Sequence, residues 1–591
     1  MSPVLPGPPI RRHVNLALDL TDLADISAAY AELAARPLPD VDALALWLRA
    51  WSELESLLDE ELVRRGIAMN CAVDDPRTHA AHRDFVDRLA PHIKPLSHDL
   101  ARRLVDHPHA HDLDPAQHAC LLRTLRDQVD LYSDETAALE VEEQHLIAET
   151  MRLRTGVTVL WDPARGVELD YPADHEPRDV LAMRRPIELV EAELDQPGRA
   201  RREAAWRAVN GRVLIDHKRY AALFDRLYAV RKAQARAAGA PDVRAHRFRL
   251  LGRRDYGVDE CLELHAAIEA EVVPFASELL HQRRDLLGLT SVRPWDLTAP
   301  LGPADVTHPF TDEYTLVDGI QRAIASVDPE LGQQFARLAR HDMLDLLARP
   351  GKSPGAFQCH LGATGLPFVF ASAVGRREDL WTVLHEAGHA LHALACADDP
   401  LMWNRTPPLE FAELASTAME LMAGTHLDAF FDESASRAAR REQLVQAVLF
   451  LPHVACVDAF QHWLYTDPFS ATWASARDLC WRDLHQRSSP AVDWHGLELE
   501  RSRQWLRQSH LFTAPFYFIE YGIAQLGALQ LLERYLDDPT ATVTAYRGAL
   551  ALGGRASLRD LFAAAGLRLD FSREHVARCM AFVRRELARL D

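Results

Sequence analysis

The chain has 591 residues, 48% hydrophobic and 26% charged, which places it among ordinary globular proteins and excludes a disordered or fibrous class. Its length exceeds what one hydrophobic core supports, so two or three lobes are expected. A formal net charge of -20 argues against a general nucleic-acid binder, whose grip on phosphates depends on basic surface.

The first segment, MSPVLPGPPIRRHVNLALDL, carries Pro and charge where a signal peptide needs an unbroken apolar run, so no secretion is expected. The eight cysteines are scattered without a C-x-x-C pair, which suits reduced thiols and a cytoplasmic location. Beyond the Pro-rich first nine residues there is no low-complexity tract and no internal repeat. The His-rich tract at His107, His109 and His111 reads as a solvated polar loop.

Apolar residues then recur at three- and four-residue spacing, as in Tyr220, Leu223, Phe224, Leu227 and Val230, a stripe stopped by Gly239 and Pro241. The fold class is therefore mainly α. Two segments interrupt it, at 291-309 and 351-374. The second predicts a hairpin, with strands Phe357 to Leu361 and Leu366 to Ala373 around the Gly362 to Gly365 turn. Its edge suits an extended peptide added through main-chain hydrogen bonds. Within it, GKSPG at 351-355 imitates a G-x-S-x-G nucleophile elbow, but Pro354 lacks the N–H that an oxyanion hole needs. A P-loop fails as well, because Leu346 stands where the upstream Gly belongs. Further on, AVLFL stops at Pro452 and no apolar run approaches about 18 residues, so no membrane span is expected.

EDLWTVLHEAGHALHALA predicts a helix opened by Glu378 and Asp379, acids suited to the positive end of the helix dipole. His385 and His389 lie one turn apart on one face, so both imidazoles can reach a single tetrahedral Zn2+. Glu386 sits about 100° round from His385, placed to act on water at the metal without being a ligand. In a chain with 28 histidines the motif alone is open to coincidence, and a second element has to decide. PPLEFAELASTAMELM supplies it, with Glu413, Ser416, Thr417 and Glu420 on one helix face. Glu413 follows His389 by 24 residues, enough for a turn and a second helix to complete a His2Glu site. Glu420 is the candidate acceptor for a ligand imidazole N–H. Glu410 is a rival third ligand close to the helix start. His392 stands about 10 Å along the helix from His385, too far to share the ion, and is expected to line a cleft. With His392 and Ala395 in place of Gly and His, the metzincin pattern is excluded.

These segments, together with GAFQCH, PFVF, AFQHWLYTDP at 459-468 and HLFTAPFYFIEYGIAQLGALQ from His510, resemble the oligoendopeptidase F and thimet oligopeptidase family of zinc metallopeptidases. More loosely, HRFRLLGRRDYGVDE and LGLTSVRPWD extend the resemblance over roughly 180-590. It implies an elongated, two-lobed helical zincin, with a small hairpin beside the metal helix and a deep channel that admits only short or unfolded peptides. It also implies one Zn2+ per chain held by His385, His389 and Glu413, with Glu386 as general base. His510, Tyr517 and Tyr521 correspond to the residues that polarise the scissile carbonyl and bond the substrate. Tyr517 and Tyr521, four apart, are expected on one helix face as neutral donors to an oxyanion. Phe518 stands where many relatives carry another Tyr.

The expected domains are an N-terminal helical domain, 1-190, and a catalytic domain, 191-591. The function expected is that of a zinc-dependent oligoendopeptidase acting on short peptides, with neither nucleic acid nor membrane as partner. A dipeptidyl carboxypeptidase-like exopeptidase and a non-catalytic peptide binder with a structural metal are the alternatives. Monomer and homodimer are both open.

Overall fold

The computed structural model of the protein describes residues 12-15, 18-155, 157-169, 183-302, 308-467 and 472-591. The Pro-rich first nine residues, and 303-307 of the Pro-rich stretch at 291-309, lie outside the described residues. Helices dominate, and the strands form two three-stranded sheets among the described residues. By contact, the chain divides into two compact units that interleave in sequence. One holds Met1–Tyr132, His308–Ser436 and Ile523–Leu569; the other holds Ser133–Thr307, Arg437–Gly522 and Asp570–Asp591. The segment Ser133–Thr307 runs across residue 190, where the sequence suggests a boundary.

In the first unit, the helix Val41–Cys71 starts where the Asp40 carboxylate accepts the Ala43 N–H. It buries Trp47, Leu48, Trp51, Leu54 and Leu58, and Trp51 meets Trp403 at 4.6 Å between ring centroids. Each buried indole removes about 150–250 Å² from water, worth roughly 4–6 kcal/mol of transfer free energy. The opposite end of the helix serves the sheet. Glu60 accepts the backbone N–H groups of Ala363 at 2.9 Å and Thr364 at 2.7 Å, fixing the hairpin turn.

The hairpin pairs Ala356–Leu361 with Leu366–Ala373 antiparallel, in the register Cys359 opposite Phe368. Gly365 takes φ 74°, a left-handed conformation that a β-carbon would strain. A third strand, Leu344–Leu347, runs parallel to Leu366–Ala373, which becomes the central strand and is buried along nearly all its length. Lys352, the lysine of the GKSPG decoy, is structural. Its buried ammonium bonds Asp345 Oδ1 at 2.8 Å and the Leu347 carbonyl at 2.9 Å, anchoring that third strand.

The helix Arg377–Cys396 packs against both hairpin strands and against the helix Leu409–Ala423. Gly388 makes the helix pair close, since a β-carbon there would stand 2.5 Å from Ser416 Cα. The Tyr546 hydroxyl donates to the buried Ala415 carbonyl at 2.7 Å, tying the second helix to Pro539–Leu550.

In the second unit, the 39-residue helix Arg199–Ala237 carries Arg231, fully buried and bonded to Glu143 Oε1 at 2.6 Å and the Tyr465 hydroxyl at 2.9 Å. The helix Glu433–Thr466, which lies in this unit from Arg437 onward, contains Pro452 rather than ending there. A mid-helix Pro costs roughly 3 kcal/mol or more. The buried neighbours Val448, Leu451, Val454 and Ala455 offset it. The most apolar window of this helix has mean hydropathy 1.5, enough in length and composition to cross a bilayer, yet 67% of it is buried inside the protein.

The tight crossing makes a stability prediction. Gly388→Ala should lower the unfolding free energy by about 1–3 kcal/mol, the range for overpacking a close contact. Urea denaturation midpoints at constant slope would measure the loss.

Candidate metal centre

The helix Arg377–Cys396 begins with its acids in the first turn, where Asp379 Oδ2 accepts the N–H of Val374 at 2.7 Å and of Arg376 at 2.9 Å. Two turns further, His385 and His389 stand edge to face, with ring centroids 4.9 Å apart. The crossing at Gly388 brings up the second helix. One ligand atom each of His385, His389 and Glu413 then lie within 4.8 Å of one another. Ligands placed tetrahedrally about 2.1 Å from a common Zn2+ would stand about 3.4 Å apart. His385 Nε2 lies 3.4 Å, and His389 Nε2 3.8 Å, from Glu413 Oε2. Both imidazole–carboxylate separations therefore come within a few tenths of an ångström of the spacing such an ion needs. Glu420 Oε2 is 3.7 Å from His385 Nδ1, on the ring's far side from Glu413, and Ser416 Oγ is 3.3 Å from His385 Nε2.

The electrostatics favour a cation at this point. Burial would depress His385, but hydrogen bonds and charge from Glu413 and Glu420 outweigh it and raise its pKa to about 10. Burial, joined by the charge of His385, pushes His389 down to about 4, so it is a neutral imidazole with a free lone pair at pH 7. Burial pushes Glu386 up to about 7, opposed by the charge of His385 and by a hydrogen bond from the Gln358 backbone. Gln358 belongs to the edge strand, so the carboxylate of Glu386 and that edge are in contact.

Two neighbours sit elsewhere than among these donors. Glu410 is buried but lies outside the cluster. His392 does not line a cleft as expected, being only 3% exposed. Its ring meets Phe411 at 5.8 Å and it bonds the Leu550 carbonyl, because the first turns of Leu409–Ala423 cover that side of the helix. It is a core histidine.

His510, Tyr517 and Tyr521 belong to the second unit, where they form one aromatic group. Tyr521 Oη lies 3.3 Å from His510 Nε2, and the Tyr517 ring stands 5.7 Å from His510 and 5.4 Å from Tyr521. The expectation that one helix face carries both tyrosines is corrected. The helix begins at Ile519, and Tyr517 precedes it in a turn. Phe516 enters this turn with φ 68°, a conformation that costs a bulky L-residue about 1–3 kcal/mol. Buried arginines hold the segment, Arg231 donating to the carbonyls of Leu511 and Phe512 and Arg253 to that of Phe516. Arg253 lies within HRFRLLGRRDYGVDE and Phe516 within HLFTAPFYFIEYGIAQLGALQ, but neither motif points to this role, and Arg231 lies in no quoted motif.

A second donor set, Cys261, Asp458 and His462, also lies within 4.8 Å in that unit. Asp458 Oδ2 faces His265 Nε2 at 2.9 Å and His462 Nε2 at 3.2 Å. Arg244 donates to His462 Nδ1 at 3.2 Å, which leaves the ring proton on Nε2 and occupies the lone pair a metal would need. Burial would raise the pKa of Asp458, but hydrogen bonds from His265 and His462 hold it far below the usual carboxylate range. The group is a buried cluster in which both imidazoles face the Asp458 carboxylate.

Two histidines a turn apart, a buried glutamate between them and a second carboxylate from the next helix, all in a mostly helical chain, define a metallopeptidase of the H-E-x-x-H type. The chain belongs to peptidase family M3, whose pattern matches residues 193–581. It is 21% identical over 309 residues to the chromosomal oligoendopeptidase F of Lactococcus lactis subsp. cremoris, covering 50% of this chain and 49% of that one. It is 22% identical over 321 residues to the oligopeptidase PepF of Bacillus subtilis (strain 168), covering 52% and 46%. The matched stretch thus spans about half the length of these curated relatives. Among solved structures, a candidate oligoendopeptidase F superposes with a TM-score of 0.88 at 25% identity, over 97% of this chain and 98% of that one. PZ peptidase A with an inhibitor superposes with a TM-score of 0.87 at 23% identity, over 98% and 99%.

The buried histidine adjoining the site carries a pH prediction. With a folded pKa of about 3, set by burial and then by the charge of His389, His392 takes up its proton more readily in the unfolded chain. Its contribution to stability is complete above about pH 6.5 and is lost as pH falls towards 3, at up to about 1.4 kcal/mol per unit. In metal-free protein, His392→Leu should flatten the fall of urea-unfolding free energy between pH 6.5 and 4 relative to the parent.

Proposed function

We propose that the protein is a zinc-dependent oligoendopeptidase that hydrolyses internal bonds of short or unfolded peptides. The observation that carries this reading is the convergence of His385, His389 and Glu413, with Glu386 buried beside them on the same helix. When bound, Zn2+ supplies a Lewis acid that polarises the scissile carbonyl and makes water more acidic.

The chain's own residues account for the other steps. His385, His389 and Glu413 hold the ion, and Glu420 orients His385 through its Nδ1. A carboxylate oxygen of Glu386 takes the proton from the attacking water and passes it to the nitrogen of the leaving amine. The pKa of about 7 that burial gives Glu386 suits a group that must accept and release a proton near neutrality. The backbone of Ala356–Leu361, at the edge of its sheet, offers main-chain groups for pairing with an extended peptide. His510, Tyr517 and Tyr521 donate hydrogen bonds to the substrate and its developing oxyanion, the two phenols as neutral donors. All eight cysteines are free thiols, which supports a cytoplasmic setting.

Glu386→Gln should retain one zinc per chain and lose about 10²- to 10⁴-fold in kcat, the span for a general acid–base group; near-normal cleavage by this variant would refute its role. Glu413→Ala should purify without metal, and stoichiometric zinc in that variant would move the third ligand to Glu410. Cleavage of a peptide with a blocked C-terminus, abolished by chelator, separates an endopeptidase from a dipeptidyl carboxypeptidase, which would leave the peptide intact. Binding without any cleavage would indicate the non-catalytic alternative.

A further inference from the structure

Among the described residues only Asp342 and Phe516 have positive φ without being glycine. Asp tolerates the left-handed region through local hydrogen bonds, whereas Phe has no such compensation. Strain of this kind persists only where its surroundings over-determine it. Three restraints act on Phe516. Its N–H donates to Gln461 Oε1 at 2.5 Å, its carbonyl accepts from Arg253, and its ring is fully buried against Phe248, His462 and Tyr465 at 5.4 to 5.6 Å. Arg253 is also paired with Glu520 Oε1 at 3.0 Å, while the Glu520 N–H donates to the Tyr517 carbonyl at 3.0 Å. The clamp thus closes on Tyr517 from the residue before it and from the third residue after it.

We propose that Gln461 and Arg253 are positioning residues that hold Phe516 in its left-handed conformation and thereby fix the Tyr517 ring against His510 and Tyr521, in the one orientation from which it acts as a donor. The proposal rests on the reading of Tyr517 as a hydrogen-bond donor to the oxyanion. Relaxing φ from 68° to an ordinary value near −65° would turn the chain by about 130° at the residue before Tyr517. That turn would carry its ring away from His510 and Tyr521. A donor aimed at charge that appears only in the transition state acts on kcat, and it does so only if its direction is set beforehand. Gln461 is fully buried and its Nε2 makes no hydrogen bond, so its carbonyl oxygen is the working atom.

A double-mutant cycle on the zinc-loaded full chain, with a C-terminally blocked fluorogenic peptide, tests this. Tyr517→Phe should lower kcat by about 10²- to 10³-fold, the loss typical of one oxyanion donor. Gln461→Met, which keeps the volume and removes the acceptor, should lower kcat at least tenfold with KM changed by less than about threefold and zinc content unchanged. In the Tyr517→Phe background the same change should cost less than about twofold, because the group it aims is already gone. Gln461→Glu, which keeps an acceptor oxygen at the same place, should restore kcat. If Gln461→Met does not fold, Phe516→Gly takes its place: it loosens the same turn and should show the same dependence on Tyr517. Multiplicative losses in the double mutant, or an unchanged kcat in Gln461→Met or Phe516→Gly, overturn the proposal while leaving the role of Tyr517 intact. A wild-type kcat in Tyr517→Phe instead removes the reading of Tyr517 and the proposal with it.

Discussion

The metal donors depend on one steric fact, the absence of a β-carbon at residue 388. With Gly388 against Ser416 Cα, the helix Leu409–Ala423 comes close enough for Glu413 to meet both histidines, and Ser416 to sit beside His385. The helical period does the remaining placement. Residues 385 and 389 lie on the face that carries Gly388, and 413, 416 and 420 share the facing stripe. Metal–ligand bonds tolerate errors of only about 0.2 Å, so backbone spacing, not side-chain flexibility, sets the quality of the site. Glu386 escapes coordination for the same geometric reason, since its angle on the helix turns it towards Gln358 on the strand edge.

The aromatic group around His510 is built by different means. No helix face presents Tyr517. Buried guanidinium groups do, Arg231 on the carbonyls of Leu511 and Phe512 and Arg253 on that of Phe516. Each lies in a setting where an unpaired charge would be costly, and each is matched by a buried carboxylate, Glu143 or Glu520. Charge buried in this way stabilises little by itself but specifies one conformation, which a non-repetitive segment cannot obtain from backbone ladders.

What could be read from the amino-acid order follows from how local the determinants are. The helix of His385, the helix of Glu413 and the hairpin of Phe357 to Ala373 each carry their own periodicity, caps or turn glycines, and they fold as that pattern implies. The third strand, Leu344–Leu347, is four residues long and pairs across a non-local register, so no window reveals it. Spacing gives the helix face of His392 and so points it to a cleft, whereas the cover provided by Phe411 is visible only in the packing. Tyr517 and Tyr521 had the spacing of a helix, but the left-handed Phe516 and the late helix start at Ile519 depend on Gln461 and Arg253, distant in the chain. Pro452 would stop an isolated helix and does not stop one surrounded by its own core. The interleaving of the two units is likewise invisible to any reading that moves along the sequence.

The hydrogen bonds of Glu60 to the hairpin turn and of Tyr546 to Ala415 also concern time. The hairpin turn is fixed by a residue 303 positions upstream, and the helix bearing Glu413 by one 131 positions downstream of its contact. Contacts of such separation form slowly and late. On a ribosome, the histidine helix emerges well before the chain that steadies its partner. The helix bearing Glu413 therefore gains this support only after residue 546 has been made.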